Sequence, residues 1–308
     1  MTESPPVVAE NAEQRARSGL IAGLVCYMLW GFLPLLFDLL DKAGPLTIVA
    51  DRTVWSLLFV GVFLAVTGRV GETRAALRNL RLVRTLVVSS VLLASNWLIY
   101  VWAVGTGQLV EASFGYFINP LINILIGMVF LGERQRPLQT VAIFIALAAI
   151  GLQAVGLGRL PYVALAIAVT FALYGFVRKT VRVESAEGLF IETTVLVPVA
   201  IGYLGFSFWQ QGGLGLHADP YYMGLLLATG PATAIPLLLF TYAVRRLRLT
   251  TIGMLQYLSP SIQFLLAVLV LREPIDAAQL WSFALIWLSL AVYSADAFMP
   301  RKARARTS

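Results

Sequence analysis

The chain has 308 residues, 59% of them hydrophobic and 13% charged, with a mean hydropathy of +0.81 and a formal net charge of +7. A soluble domain is about half apolar and a quarter charged, so a water-soluble globule of this composition is excluded and lipid must solvate part of the surface. The basic excess would point to nucleic acid in a soluble protein. Here it falls in short stretches between apolar runs, with no basic face interleaved with aromatics, which excludes nucleic acid as a partner.

Residues 1–18 are polar and mixed in charge. The apolar run after them is too long for a signal peptide and lacks its small-residue cleavage pattern, so it reads as a first membrane helix. Ten apolar runs follow in order: 19–40, 46–67, 85–104, 109–131, 138–155, 161–177, 189–209, 221–244, 250–271 and 278–298. Most approach the ~20 residues that span a hydrocarbon core, the fifth and sixth being shorter. Pro161, Pro220 and Pro274 fall at or just before helix starts, where a missing N–H costs nothing.

Counting basic residues on alternate sides, with the N-terminus inside, gives nineteen inside against Lys42, Arg159 and Arg272 outside, Arg52 lying within a span. That bias sets both termini on the cytoplasmic side of the plasma (inner) membrane and favours an even number of spans.

The chain also repeats itself. Tyr116 to Pro120 and Leu131-Gly132-Glu133 align with Gln256 to Pro260 and Leu271-Arg272-Glu273 at an offset of 140 positions. Trp102-Ala103-Val104 meets Tyr242-Ala243-Val244 at the same offset. At slightly larger offsets Trp30-Gly31-Phe32 resembles Tyr174-Gly175-Phe176, and Asp51 to Val54 resembles Glu192 to Val195. A unit of five helices is odd, so its second copy must enter the membrane upside down, an architecture that recurs in transporters. The expected organisation is an all-α membrane protein of ten helices around a central cavity. It comprises a cytoplasmic tail (1–18), a first five-helix repeat (19–155), a second, inverted repeat (156–298) and a basic cytoplasmic tail (299–308).

Several stretches carry a family likeness: Asp51 to Ser56, Asn96 to Val104, Glu111 to Leu121, Leu131 to Arg134, Tyr174 to Lys179, Ile191 to Thr193 and Arg246 to Leu249. In these the chain resembles the drug/metabolite transporter superfamily, EamA type, and most closely its RarD (chloramphenicol-sensitive protein) branch. The resemblance runs from about Gly19 to Ala297, and the run from Glu111 is its most specific part. The second half departs from the shared Leu-Gly-Glu element, with Arg272 where the first half has Gly132. The resemblance implies ten helices, inside termini, a central cavity and secondary transport of small organic solutes, often efflux of amino acids or drugs.

Charged side chains at membrane depth are costly and so are candidates for function: Asp51, Arg52, Glu111 and Glu192. Arg52, about 9 Å into its helix, and Glu111, near the start of its own, occupy one outer layer and are expected to pair, either as a gate or as a static anchor. Glu192, which the repeat sets against Asp51, is either a proton-coupling carboxylate or a first-turn acid at a positive helix end. Trp30, Trp97, Tyr100, Trp102, Tyr116, Tyr174 and Tyr257, with the amides Asn96, Asn119, Asn123, Gln256 and Gln263, are the expected substrate-cavity lining. Interhelical hydrogen bonding is the plainer reading of the amides. Pro120 and Pro260 are the expected symmetric kinks. Ala164, Ala168 and Ala172 form a small-residue stripe suited to close helix packing. Glu133 and Glu273, at unfavourable helix ends, are expected to be compensated by Arg134 or by capping the next helix. The segment from Arg69 to Arg84 is either a solvated loop or a basic stretch on anionic lipid.

No metalloenzyme, aspartyl or P-loop motif appears, and one cysteine, Cys26, with one histidine, His217, in a polar loop makes no zinc site; no cofactor or metal is expected. A small-molecule transporter is the leading reading. A channel or a membrane scaffold or receptor is the alternative, and a membrane enzyme the least supported. Substrate and oligomeric state are left open by the sequence.

Overall fold

The computed structural model describes residues 12–131, 137–244, 246–247 and 255–298. Among them the chain is helical throughout, without strands. The helices are α1 (Ala12–Asp38), α2 (Pro45–Val66), α3 (Val70–Arg78), α4 (Leu80–Gly105), α5 (Leu109–Leu131), α6 (Pro137–Leu157), α7 (Tyr162–Thr180), α8 (Ser185–Gln211), α9 (Pro220–Val244), α10 (Leu258–Leu269) and α11 (Ala277–Phe298). Six of these are long and apolar enough to cross a membrane: α1, α2, α4, α6, α8 and α9. The chain is therefore an all-helical, multi-pass membrane protein.

Local chemistry sets the helix ends. Pro45, Pro137 and Pro220 open α2, α6 and α9 as first-turn residues, where proline gives up no hydrogen bond. Asn79 breaks the chain between α3 and α4, and its Oδ1 accepts the Leu82 N–H at 3.2 Å, a side-chain cap for α4. The stretch 69–84 is thus mostly helical, where the sequence offered a loop as one reading. Asp276 and Gln279 form a reciprocal box at the start of α11: each side chain accepts the other's backbone N–H, at 2.7 and 3.0 Å. Gly212, at φ 67°, closes α8, with N–H groups returning to the Phe208 and Trp209 carbonyls.

The two prolines expected as symmetric kinks sit in different helical contexts. Helix α5 continues unbroken through position 120. In the second half the helical turn ends at Gln256, Tyr257 is a turn residue, and α10 starts at Leu258. Pro260 supplies no N–H to the Gln256 carbonyl and its ring crowds that group, so the break falls where proline physics places it. Arg272 has φ 55°, a left-handed conformation that side chains resist. The first half carries glycine, Gly132, at the corresponding sequence position.

The chain forms two compact units, each built from two separate stretches of the sequence: residues 1–90 with 181–263, and residues 91–180 with 264–308. In the first, α2 packs on α8 and α9, and α1 packs on α9. Its tightest approaches use glycine: a Cβ on Gly230 of α9 would lie 2.6 Å from the Trp55 carbonyl carbon. In the second unit, α6 packs on α11 and α5 on α7. The stripe Ala164, Ala168 and Ala172 on α7 is fully buried, and Gly115 of α5 sits on Ala164. Phe114, Phe117 and Phe264 each pack against Phe283, Phe264 and Phe283 with ring centres 4.3 Å apart.

Candidate functional site

Most of the intramembrane charges named from the sequence are buried in the structure, each with a partner in its own unit. In the first unit Asp51, in the first third of α2, is buried and bridges to His217: Oδ2 lies 2.8 Å from the imidazole Nε2. The Trp55 indole N–H donates to the other oxygen at 3.2 Å. His217 sits on a short turn (Gly215–Ala218) between α8 and α9, with the Phe208 ring 4.9 Å away. A cavity of about 100 Å³ opens beside it, lined by Lys42, Thr47, Ser207 and Gln211 among others. At the next position, Arg52 donates through Nε to Thr233 Oγ1 of α9 at 2.7 Å and lies over the Phe37 ring.

Near the other ends of these helices, Glu192 of α8 is fully buried and accepts the Ser89 hydroxyl of α4. Glu187, five residues before it and also buried, pairs with Arg69 at 2.7 Å.

In the second unit Glu111, 3% exposed, is held bidentately by Arg159 on the α6–α7 connection, at 2.8 and 3.4 Å. Its Oε1 also accepts the Val163 N–H at 3.0 Å, so Glu111 caps the first turn of α7 as well. Arg159 in turn donates to Gln108 and stacks on Tyr162 at 4.3 Å. Arg52 and Glu111, expected to pair, belong to different compact units, and each has these partners within its own. Depth alone suggested that pairing; Arg159, a loop residue next to the α7 start, reaches Glu111 with both guanidinium nitrogens.

Glu273 likewise departs from expectation. It caps neither the next helix nor its own: its two oxygens accept the N–H groups of Leu109 and Val110, at 2.8 and 2.9 Å, at the start of α5. Four first-turn donors of a helix lack internal partners, and Glu273 satisfies two of them with a charge of the favourable sign. Glu273→Ala should therefore cost about 1–2 kcal/mol, seen as a lower melting temperature in detergent, with Glu273→Gln losing less. Burial pushes the Glu273 carboxyl above its ordinary 4.5, while the two N–H groups pull it partway back. The folded chain then keeps this proton to higher pH than the unfolded chain. The group's contribution to stability should fall as pH rises from about 4.5 through the raised value, and that slope should be absent in Glu273→Gln.

Of the expected cavity lining, one group comes together in the second unit. Asn96 is buried; its amide donates to the Ile167 carbonyl and Thr170 hydroxyl of α7, at 3.1 and 3.0 Å. The Tyr116 hydroxyl donates to its oxygen at 3.4 Å. Tyr100 meets Tyr116 edge-on at 5.6 Å, and Phe171 links Tyr116 to Tyr174. Trp97, Tyr100 and Asn119 are buried, whereas Trp102, Tyr116 and Tyr174 are half-exposed. In the first unit Gln263 is buried and donates to the Trp30 carbonyl at 3.1 Å and to Ser259 at 3.2 Å. Trp30 packs with Tyr27 and Phe240. Gln256 and Tyr257 are half-exposed. The Asn123 and Pro120 side chains, and all of Glu133, lie outside the described residues. Asn96 and Gln263 thus tie helices together.

His217, Arg159, Thr233, Ser89 and Glu187 were not singled out as partners by the sequence reading. Two of them carried a signal: His217 is the single histidine, and Arg159 is one of only three basic residues on the side the charge bias leaves poor. Among the described residues no group of His, Cys, Asp and Glu is arranged to hold a metal.

Helices of this length and apolarity, with charges buried in pairs among them, define a polytopic membrane protein, and comparison with known proteins gives its class. The chain belongs to the EamA-like transporter family, whose model matches residues 17–154 and 161–295. It is 42% identical over 288 residues to an uncharacterized transporter of Pseudomonas aeruginosa, covering 93% of this chain and 96% of that one. It is 39% identical to protein RarD of Escherichia coli K12, covering 94% of this chain and 98% of that one. It is 31% identical to the chloramphenicol-sensitive protein RarD of Pseudomonas aeruginosa, covering 94% and 97%. A solved structure shares the fold, with a TM-score of 0.60 at 20% identity over 91% of this chain and 98% of that one.

Proposed function

We propose that this member of the family is a secondary carrier, not driven by ATP, that exports a small organic solute (a drug or metabolite) by alternating access with proton coupling. In this reading ten helices (all but α3) cross the inner membrane as two inverted five-helix repeats, with both termini cytoplasmic. One observation carries it. The side-chain links that join helix ends fall between ends that the basic-residue alternation assigns to a common side. Asp51–His217 ties the α2 start to the α8–α9 turn, and Arg69–Glu187 ties the α2 end to the α8 start. Glu111–Arg159 and Glu273–Leu109 tie the α5 start to the α6 end and the α10 end. Two matched stretches of similar length in the family comparison also fit a repeat. The proton-coupling groups are the buried carboxylates Asp51 and Glu192, and the solute-facing side chains are Trp30, Trp102, Tyr116, Tyr174, Gln256 and Tyr257.

A thermal-shift screen of the purified protein against amphenicols, aromatic amino acids and small metabolites should yield a stabilising compound. In proteoliposomes that compound should show saturable counterflow, with Tyr116→Leu and Tyr174→Leu each raising its half-saturating concentration up to about tenfold. Stabilising compounds that show no counterflow at all would remove the carrier reading.

A further inference from the structure

The arginines that follow α2 fall into two groups. Arg69 is spoken for, clamped between buried Glu187 at 2.7 Å and Glu72 at 3.3 Å, and it pins the start of α3 to α8. Arg74, Arg78, Arg81 and Arg84 are exposed, and among the described residues their guanidinium groups have no hydrogen-bond or ion-pair partner. Helix α3 is amphipathic. Thr73 is buried toward the bundle, and Val70 and Leu77 line an apolar groove whose other walls are Gly61 and Leu64 of α2 and Phe190 of α8. Arg74 stands at its edge. The groove encloses about 430 Å³, within the range of small-molecule sites. Gly61 keeps it open: a Cβ there would come within 3.2 Å of the Phe190 ring. Along the same helix Leu58, Val62 and Val66, four residues apart, are all exposed, Val66 by 83%.

An apolar groove with an uncommitted guanidinium at its edge, and Arg78 one turn further along the same helix, is the chemistry of one ligand class. We propose that this groove binds an anionic phospholipid, with the phosphate held by Arg74 and Arg78 and an acyl chain lying between Leu64, Leu77 and Phe190. Guanidinium groups match phosphate oxygens in a bidentate geometry that a zwitterionic headgroup satisfies less well, because its own cation opposes them. The site is separate from the solute-facing residues, and it rests on the reading that the α2–α4 connection lies at the cytoplasmic surface. Anionic lipid would there fasten α3 across the ends of α2 and α8, beside the Arg69–Glu187 pair.

The test uses the full-length protein in mild detergent, titrated with palmitoyl-oleoyl phosphatidylglycerol, with phosphatidylcholine of the same chains, and with inorganic phosphate. Phosphatidylglycerol should raise the melting temperature saturably, phosphatidylcholine should do so weakly, and phosphate should not. The double variant Arg74→Gln/Arg78→Gln changes only exposed side chains; it should fold normally and bind phosphatidylglycerol about tenfold more weakly or worse. Equal responses to the two lipids, a full response to phosphate alone, or an undiminished preference in the double variant would each overturn the site. Transport is read separately: counterflow lost with the lipid preference intact sinks only the carrier reading, and the converse result sinks only this one.

Discussion

Arg159→Ala should destabilise the protein by about 2–3 kcal/mol and lower its melting temperature in detergent by about 5–10 °C. Glu111 is buried and holds two contacts from Arg159 and one from the Val163 N–H. Removing the guanidinium leaves a carboxylate in a low-dielectric setting with a single donor. Breaking a fully buried pair from one side costs about 3–5 kcal/mol, and the cost here is at or below the low end of that range because the Arg159 side chain is 36% exposed and partly solvated. Glu111→Gln keeps an acceptor for Val163 without the charge and should cost less. The double variant should recover most of the Arg159→Ala loss, since no unbalanced charge remains. A melting temperature for Arg159→Ala equal to that of the parent chain would show that water or another cation replaces the arginine.

The second large effect is steric. A Cβ on Gly115 would lie 2.5 Å from the Ala164 carbonyl oxygen and 2.9 Å from its Cα. Those are backbone atoms of α7, so no rotamer change relieves them; α5 and α7 must move apart. Overpacking of this kind costs about 1–3 kcal/mol for alanine and more for valine. In a membrane, where close packing is a main source of helix association, the larger side chain should abolish folded yield. Gly115→Val is therefore expected to give no monodisperse protein, and Ala164→Gly should not rescue it, because the obstructing atoms remain. Gly175 on α7 is the internal control. Nothing lies within 4 Å of the point where a methyl group on it would stand, so Gly175→Ala should be neutral or slightly stabilising through helix propensity. Normal yield from Gly115→Val would mean that the two helices are not in contact at this level.

Much of the helical layout was legible because apolar length is a one-dimensional property. The run 109–131 matches α5 end to end, and most others match within a few residues. The small-residue stripe on α7 was legible for the same reason: spacing of four along a helix defines a face. Partner choice was not. Position along a span assigns Arg52 and Glu111 a depth, but which helix each side chain turns toward is decided by packing. The residues that met Glu111 and Asp51, Arg159 and His217, sit on connections whose paths no periodicity encodes. Glu273 makes the same point, since local capping logic points to the following helix while the tertiary fold delivers it to the start of α5. The prolines divide in a comparable way: identical chemistry at positions 120 and 260 gives a continuous helix in one context and a break at Tyr257 in the other.

The interleaving of the two compact units bears on how the chain is made. The first ninety residues are completed only by the segment that begins at residue 181. At about 5–20 residues per second, a nascent chain leaving the ribosome waits several seconds between the two. During that delay α2 is already committed to the bilayer with Asp51 and Arg52 on it, while the stretch that carries His217 and Thr233 has yet to be synthesised. Insertion machinery or a holding chaperone must shelter that half-finished bundle, because its interior is assembled from the beginning and the late middle of translation together.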